Sequence, residues 1–202
     1  SMLAEDLKPN RLEAAKDVAA EFINGRPNDN IGITLFAGET FTQCPLTVDH
    51  AVLLDMIHNI KCGLITDGTA VGMGIANAVT RLKDSKAKSK VIILLTDGTN
   101  NKGDISPMTA AEIAKSFGIR VYTIGVGTNG MAPYPYPVGN TVQYVSMPVE
   151  IDEKTLTEIA GTTDGNYFRA TSNSKLKEVY EEIDKLEKTK LNVKEYSKRD
   201  EE

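Results

Sequence analysis

Two residue types that often carry chemistry are scarce in this sequence of 202 residues. The two cysteines, Cys44 and Cys62, are widely separated, which argues against a zinc site and a disulfide framework. The two histidines, His50 and His58, have the spacing of neither a metal site nor a catalytic triad. The hydrolase motifs G-x-S-x-G, H-E-x-x-H and S-x-x-K are absent. The sequence therefore shows no nucleophile and base pair for hydrolysis.

Long apolar runs and blocks of basic residues are absent as well. No stretch approaches the roughly 18 apolar residues of a membrane-spanning helix, and no signal peptide opens the chain. Lysine and arginine form no long block and the formal net charge is −5, which disfavours nucleic-acid binding. Apolar residues make up 41% of the chain, enough for the core of one soluble domain. A domain excised from a membrane protein would also show no anchor.

The stretch VIILLTDGTNNKG, residues 91–103, is the strongest local signal. Five apolar residues run from Val91 to Leu95 and polar residues follow at once, a pattern typical of a strand buried on both faces. In open parallel sheets, ligands bind beyond the carboxyl ends of the strands. We therefore expect the carboxylate of Asp97 to face a ligand there and to have no packing role.

Helical and extended patterns alternate along the rest of the chain. Helix N-caps are predicted at Asn10, Asp49, Thr69, Ser106, Asp152 and Ser172 or Asn173, and strands at 31–37, 40–46, 91–95, 119–126 and 166–170. This alternation predicts a Rossmann-like, doubly wound α/β fold, with a mostly parallel sheet and helices on both faces. We expect one domain at 1–188, whose last helix ends near Lys188, and a charged tail or linker at 189–202.

A segment rich in proline and tyrosine interrupts the alternation at residues 131–147. Its tyrosines include Tyr134, Tyr136 and Tyr144, and aromatic side chains with a polar tip are common interface anchors. We predict that at least one of them is exposed, with Tyr134 and Tyr136 as candidate partner-binding residues. The alternative is that the prolines stiffen a hairpin and the tyrosines pack on its base.

The sequence matches two ligand-binding motifs in part, one for dinucleotides and one for calcium. Residues 125–130, GVGTNG, fit the glycine fingerprint of dinucleotide sites, which requires a helix directly after Gly130. The segment MAPYP follows instead, so a phosphate- or nucleotide-processing enzyme is kept only as the alternative function. Residues 97–108 fail as an EF-hand loop, because Lys102 and Met108 replace the required glycine and glutamate.

The remaining polar residues suggest a divalent cation. Thr69 opens a helix after a loop and Asp97 ends a strand, so both could reach one point above the sheet. Hydroxyl, carboxylate and water oxygens suit Mg²⁺ or Mn²⁺. The simpler alternative, in which Thr69 is an N-cap and Asp97 a turn residue, stays open.

The whole chain resembles a von Willebrand factor A domain. The matching segments are Ser1-Met2 with KPNRLEAAK, IGITLFAG, DGTAVGMGIANAV, VIILLTDGTNN and GIRVYTIGVGT. The segments TDGTNN, PVEIDEKTL and YFRAT resemble most closely the BatA-type proteins of the Bacteroides aerotolerance operon.

The resemblance implies a metal-ion-dependent adhesion site. Its ligands in the family are a D-x-S-x-S loop, a threonine and an aspartate, which place Ser1, Thr69 and Asp97 as metal ligands here. The cation would be Mg²⁺, or Mn²⁺ or Ca²⁺, in the complete protein. The rest of the D-x-S-x-S loop precedes Ser1, so this chain is expected to bind the cation weakly or not at all.

The resemblance also implies a function and a location. It indicates a protein-interaction domain and not an enzyme, in which the cation accepts an acidic residue of a partner. Members of this group are tethered to the bacterial inner membrane, so the soluble domain is expected on its periplasmic or cytoplasmic side. The implied partners are sibling operon proteins and a MoxR-type AAA+ ATPase, in envelope stress tolerance or complex assembly.

The resemblance also places the family's first strand before Ser1, so this strand is expected to be missing from the chain. It would lie between the strands at 31–37 and 91–95. Unpaired backbone groups in such a slot cost roughly 1–3 kcal/mol each. We therefore expect the sheet to close up, or a strand to enter, with residues 191–196, LNVKEY, as the donor within the chain or between molecules.

Overall fold

The computed structural model describes the backbone of residues 1–63 and 66–199 and the side chains of 1–63 and 66–190. Six helices and seven strands alternate over this range. They are α1 (Arg11–Asn24), β1 (Ile31–Phe36), β2 (Thr40–Thr47), α2 (His50–His58), α3 (Val71–Leu82), β3 (Lys90–Thr96), α4 (Pro107–Ser116), β4 (Ile119–Val126), β5 (Met131–Val138), β6 (Thr141–Pro148), α5 (Glu153–Thr162), β7 (Tyr167–Ala170) and α6 (Asn173–Arg199). The predicted α/β alternation is confirmed.

The centre of the fold is a parallel three-stranded sheet in the order β3-β4-β7. One face packs against α3, α4 and α5 through residues such as Ile92, Val121 and Ile159. The other face packs against α1 and α6 through residues such as Ile124, Val18 and Ile183. Helices therefore cover both faces of this sheet. The carboxyl ends of its three parallel strands lie at the same end of the sheet.

The strands β1 and β2 form a separate antiparallel pair, which packs on α2 and α3. As the resemblance predicts, β1 and β3 are not neighbours. Within the described residues, β1 pairs only with β2, and β3 pairs only with β4. The sheet has therefore not closed up.

The last helix extends past its predicted end at Lys188 and continues to Arg199. Residues 191–196 are therefore helical, and the prediction that they donate a strand is wrong. Strand exchange between molecules that uses this segment as the donor is therefore wrong as well. Donation of another strand by a second molecule stays a prediction. Neither glycine nor proline interrupts residues 173–199, so no residue stops the helix.

Tertiary contacts near Lys188 also favour the longer helix. The carboxylate of Glu187 accepts hydrogen bonds from Arg120, Ser89 and the hydroxyl of Tyr122. The ammonium of Lys190 lies 5.7 Å from the ring centroid of Tyr122.

Among the described residues, none of the helices has both the length and the apolar character needed to cross a membrane.

Candidate functional site

Three chain segments meet at the carboxyl end of β3. They are the N-terminal segment before α1, the loop before α3 and the loop after β3. The two loops lie against each other and against the end of β1, where Ala70 N donates to Ala37 O at 2.7 Å and Gly38 N donates to Thr66 O at 2.7 Å. The sheet thus holds polar loops from distant parts of the sequence at one place.

Asp97 lies at the centre of this site and accepts side-chain hydrogen bonds from two described residues. The hydroxyl of Ser1 donates to Asp97 Oδ1 at 2.8 Å, and Nη1 of Arg11 donates to Asp97 Oδ2 at 3.1 Å. Only 8% of Asp97 is exposed. The prediction that Asp97 has no packing role is therefore wrong, because its carboxylate is buried in an ion pair.

Thr69 lies near Gly98, the residue after Asp97, but it is not the N-cap of α3. Ala70 occupies the N-cap position and makes no side-chain cap. The helix N-terminus is capped from the other loop, where Asn100 Oδ1 accepts from Val71 N and Asn101 Oδ1 accepts from Thr69 N, both at 2.9 Å. The N-cap prediction is wrong because these side-chain acceptors come from a remote loop.

The hydroxyl of Thr69 lies next to Gly98. A β-carbon built on Gly98 would lie 3.4 Å from Thr69 Oγ1, in ordinary contact. Ser1, Thr69 and Asp97 are therefore brought to the same edge of the sheet, with Ser1 bonded to Asp97 and Thr69 beside the next residue.

A buried network of ion pairs packs against the site and includes Asp97. Arg11 donates to both carboxylate oxygens of Asp6, from Nε at 2.8 Å and from Nη2 at 2.6 Å. Asp6 also accepts from Thr128 N at 2.9 Å. The side chains of Arg11 and Asp6 are 3% and 2% exposed. The guanidinium thus joins the N-terminal segment, α1, the loop after β3 and the loop after β4.

Within the glycine fingerprint of residues 125–130, Gly127 leaves room for the guanidinium of Arg11. A β-carbon on Gly127, whose φ is +139°, would lie 2.6 Å from Nη2 of Arg11. Directly after Gly130 the chain enters strand β5 at Met131, where a dinucleotide site would require a helix. The nucleotide interpretation of this motif is therefore wrong.

Because of this network, the stability of the fold depends on pH. Burial by itself would raise the pKa of Asp6, but hydrogen bonds from Arg11 and Thr128 outweigh it and lower the pKa from 3.8 to about 2. A depressed carboxylate pKa stabilises the fold above the unfolded pKa, and this stability is lost as the pH falls through the folded pKa.

We therefore expect Asp6 to contribute about 2 kcal/mol that disappears as the pH falls from 3.8 towards about 2. Denaturant unfolding in that pH window should show a steeper loss of stability for the wild type than for Asp6→Asn. Equal slopes for the two proteins would contradict the assignment.

The oxygens at the site suit a divalent cation, although the local charge opposes it. Two hydroxyls and one carboxylate are ligands that Mg²⁺ accepts. The guanidinium of Arg11 lies 3.1 Å from Asp97 Oδ2 and already balances that charge. No group of three or more His, Cys, Asp or Glu side chains suited to a metal occurs in the described residues. The donor chemistry fits a cation that is bound weakly.

The proline and tyrosine segment is a hairpin of β5 and β6. Tyr136 and Tyr144 are 58% and 60% exposed, and Tyr134 is half-buried. The expectation of at least one exposed tyrosine is confirmed. The hairpin lies next to the N-terminal segment, since Tyr144 Oη donates to Glu5 Oε1 at 3.2 Å.

Four residues of the site were not foreseen: Asp6, Arg11, Asn100 and Asn101. Both Asp6 and Arg11 could be predicted only as charged residues near a helix N-terminus. In the sequence, the pair Asn100-Asn101 stands out only through the family resemblance, although two amides after a strand end are also suited to capping a neighbouring helix.

A comparison with protein families matches the model described as von Willebrand factor type A domain over residues 1–182. Two solved structures are similar over most of their length. A conserved hypothetical protein, BatB, from Bacteroides thetaiotaomicron is 35% identical, with 93% of this chain and 94% of that chain covered and a TM-score of 0.80. An aerotolerance-related membrane protein from Bacteroides fragilis, solved with multiple mutations to serines, is 31% identical, with 92% of each chain covered and a TM-score of 0.79.

Curated relatives are longer than this chain. A UPF0353 protein from Nocardia farcinica is 32% identical over 202 residues, which covers 91% of this chain and 59% of that protein. The chain therefore spans little more than half the length of such relatives.

Proposed function

Because this chain belongs to the von Willebrand factor type A domain family, we propose that it is a protein-interaction domain with a cation-dependent binding site. In this proposal Ser1, Thr69 and Asp97 hold the cation, which is Mg²⁺, or Mn²⁺ or Ca²⁺, and an acidic residue of a partner completes its coordination. The observation that carries the proposal is the hydrogen bond of Ser1 to Asp97 beside the hydroxyl of Thr69.

The surroundings support a binding site over a catalytic one. Arg11 is fully engaged by Asp6 and Asp97, so it holds the Asp97 carboxylate in place and is not free to act on a substrate. The loop after β4 leads into a hairpin and offers no phosphate cradle at a helix N-terminus. The alternative of a phosphate- or nucleotide-processing enzyme therefore has no structural support.

The hairpin supplies a second contact surface near the cation site. Tyr136 projects into solvent and Tyr134 is half-buried, so both could contact a partner that reaches the cation. Exposed tyrosines are frequent anchors of protein interfaces. We propose that the partner contacts these two tyrosines in addition to the cation.

The biological setting is proposed from the relatives. The similarity to an aerotolerance-related membrane protein supports tethering to the bacterial inner membrane through segments outside this sequence. We propose sibling operon proteins and a MoxR-type AAA+ ATPase as partners, in envelope stress tolerance or complex assembly. The domain would lie on the periplasmic or the cytoplasmic side.

Titration calorimetry with Mg²⁺ on this chain tests the cation site. We expect weak binding, with a dissociation constant of about a millimolar or above, because Mg²⁺ demands near-octahedral geometry and Arg11 already pairs with the carboxylate of Asp97. Both Asp97→Asn and Thr69→Ala should weaken it further. Sub-millimolar affinity would contradict the expected weak binding, and an affinity unchanged by both substitutions would contradict this site.

A further inference from the structure

The two edges of the β5–β6 hairpin differ in chemistry. Three prolines, Pro133, Pro135 and Pro137, occupy alternate positions of β5 and face Ser146, Tyr144 and Val142 of β6. Proline has no N–H, so these pairs are the ones that do not exchange hydrogen bonds within the hairpin. The backbone groups at these positions therefore point away from the partner strand. In agreement, the carbonyl of Pro133 accepts from Glu5 N outside the hairpin, at 2.9 Å.

The outer edge of β5 is thus closed, because it has no donors at the three prolines. The outer edge of β6 is open. Val142, Tyr144 and Ser146 each direct an N–H and a C=O outwards, and β6 has no second neighbour among the strands of residues 1–63 and 66–199. Natural edge strands are commonly protected by lysine or proline, and residues 141–147, TVQYVSM, contain neither.

The side chains of the hairpin are also uncovered. Every residue of β6 is exposed, including four large apolar or aromatic ones: Val142, Tyr144, Val145 and Met147. A two-stranded hairpin alone is marginally stable in water, and three or more strands are usually needed. The hairpin therefore offers an unpaired edge and apolar side chains together.

We propose that β6 pairs antiparallel with β6 of a second copy of this chain, about a two-fold axis at Tyr144. In this register Tyr144 faces Tyr144 of the second copy, and Val142 faces Ser146. All three outward N–H groups of each copy then find a carbonyl. Moving the axis to Ser146 would place Pro148, which has no N–H, in the ladder, and moving it to Val142 would pair the turn at Gly139-Asn140.

Two observations favour a second copy over a different partner. Residues 127–149 contain no charged side chain, so the two hairpins bring no like charges of their own face to face, and the Glu5 carboxylate near the axis accepts a hydrogen bond from Tyr144. The resulting four-stranded sheet would have the proline positions of β5 at both outer edges, so the pairing stops at two copies. The proposal does not rest on the cation site.

Proline substitution on β6 tests the pairing, because it removes an outward N–H that the hairpin does not use. In sedimentation equilibrium, the wild type should approach twice its mass of 22.0 kDa as its concentration rises. The dimer of Ser146→Pro should be weaker by roughly tenfold or more. Ser146→Ala is the matched control and should dimerise like the wild type.

Val142→Pro, with Val142→Ala as its control, gives an independent second pair of variants. Circular dichroism and thermal unfolding should show that both proline variants remain folded as the wild type does. A wild type that stays monomeric at millimolar concentration would overturn the proposal. So would a dimer that neither proline variant weakens, or one that the alanine controls weaken equally.

Discussion

Arg11→Met is expected to lower the free energy of unfolding by about 3–5 kcal/mol. The substitution leaves two buried carboxylates, Asp6 and Asp97, without their shared cation. Removing one partner of a buried ion pair is costly because the remaining charge stays desolvated. Arg11→Lys should recover only part of the loss, since an ammonium cannot reproduce the two parallel hydrogen bonds to Asp6.

Urea unfolding of the two variants and the wild type measures this effect. Lys177→Met is the matched control, because Lys177 forms an exposed ion pair with Glu21 and should change stability by less than about 1 kcal/mol. An Arg11→Met protein within about 1 kcal/mol of the wild type would contradict the role given to the network.

Asp97→Asn is expected to weaken cation-dependent partner binding strongly in the whole protein. Asparagine keeps the size of the side chain and an acceptor for the hydroxyl of Ser1, but it removes the one carboxylate that faces the proposed cation. Arg11 keeps its ion pair with Asp6, so the protein should still fold, with a moderate loss of stability. The affinity for a partner in Mg²⁺ should fall by roughly tenfold or more.

Asp104→Asn is the matched control for this variant. Asp104 lies exposed in the same loop region and its substitution removes the same charge. Its affinity for the partner should equal that of the wild type. If the two variants lost affinity equally, the loss would report general charge and not the site at Asp97.

The elements of the fold could be predicted because their signals are local. Asn10, Asp49, Ser106 and Asp152 are N-caps as the sequence indicates, each accepting a hydrogen bond from a backbone N–H of its own helix. The run from Val91 to Leu95 is a strand, β3, which pairs with β4 in the parallel sheet. The end of α6 was missed, since the charged tail resembles a linker in composition and its contacts are tertiary.

The site could be predicted only in part, because its contacts join residues that are far apart in sequence. Arg11 and Asp97 are separated by 86 residues, and Thr128 and Asp6 by 122. No spacing rule connects such residues. The family resemblance named Ser1, Thr69 and Asp97, whereas the ion network and the amide caps beneath them required the three-dimensional structure.

The hairpin shows how a local rule can be correct and still incomplete. Prolines in residues 131–147 indicate a segment that is not helical, and the structure confirms two strands. Which edge the prolines occupy depends on the pairing register, which the sequence alone does not fix. The open edge of β6 follows from that register and therefore requires the three-dimensional structure.

The most direct test of the central claim is the affinity of the whole protein for a candidate partner, measured in Mg²⁺ and again after chelation. The candidates are the sibling operon proteins and the MoxR-type ATPase. A cation held by Ser1, Thr69 and Asp97 predicts binding in Mg²⁺, loss of binding after chelation and recovery when Mn²⁺ is added. A partner that binds with the same affinity before and after chelation would contradict a cation-dependent interaction site.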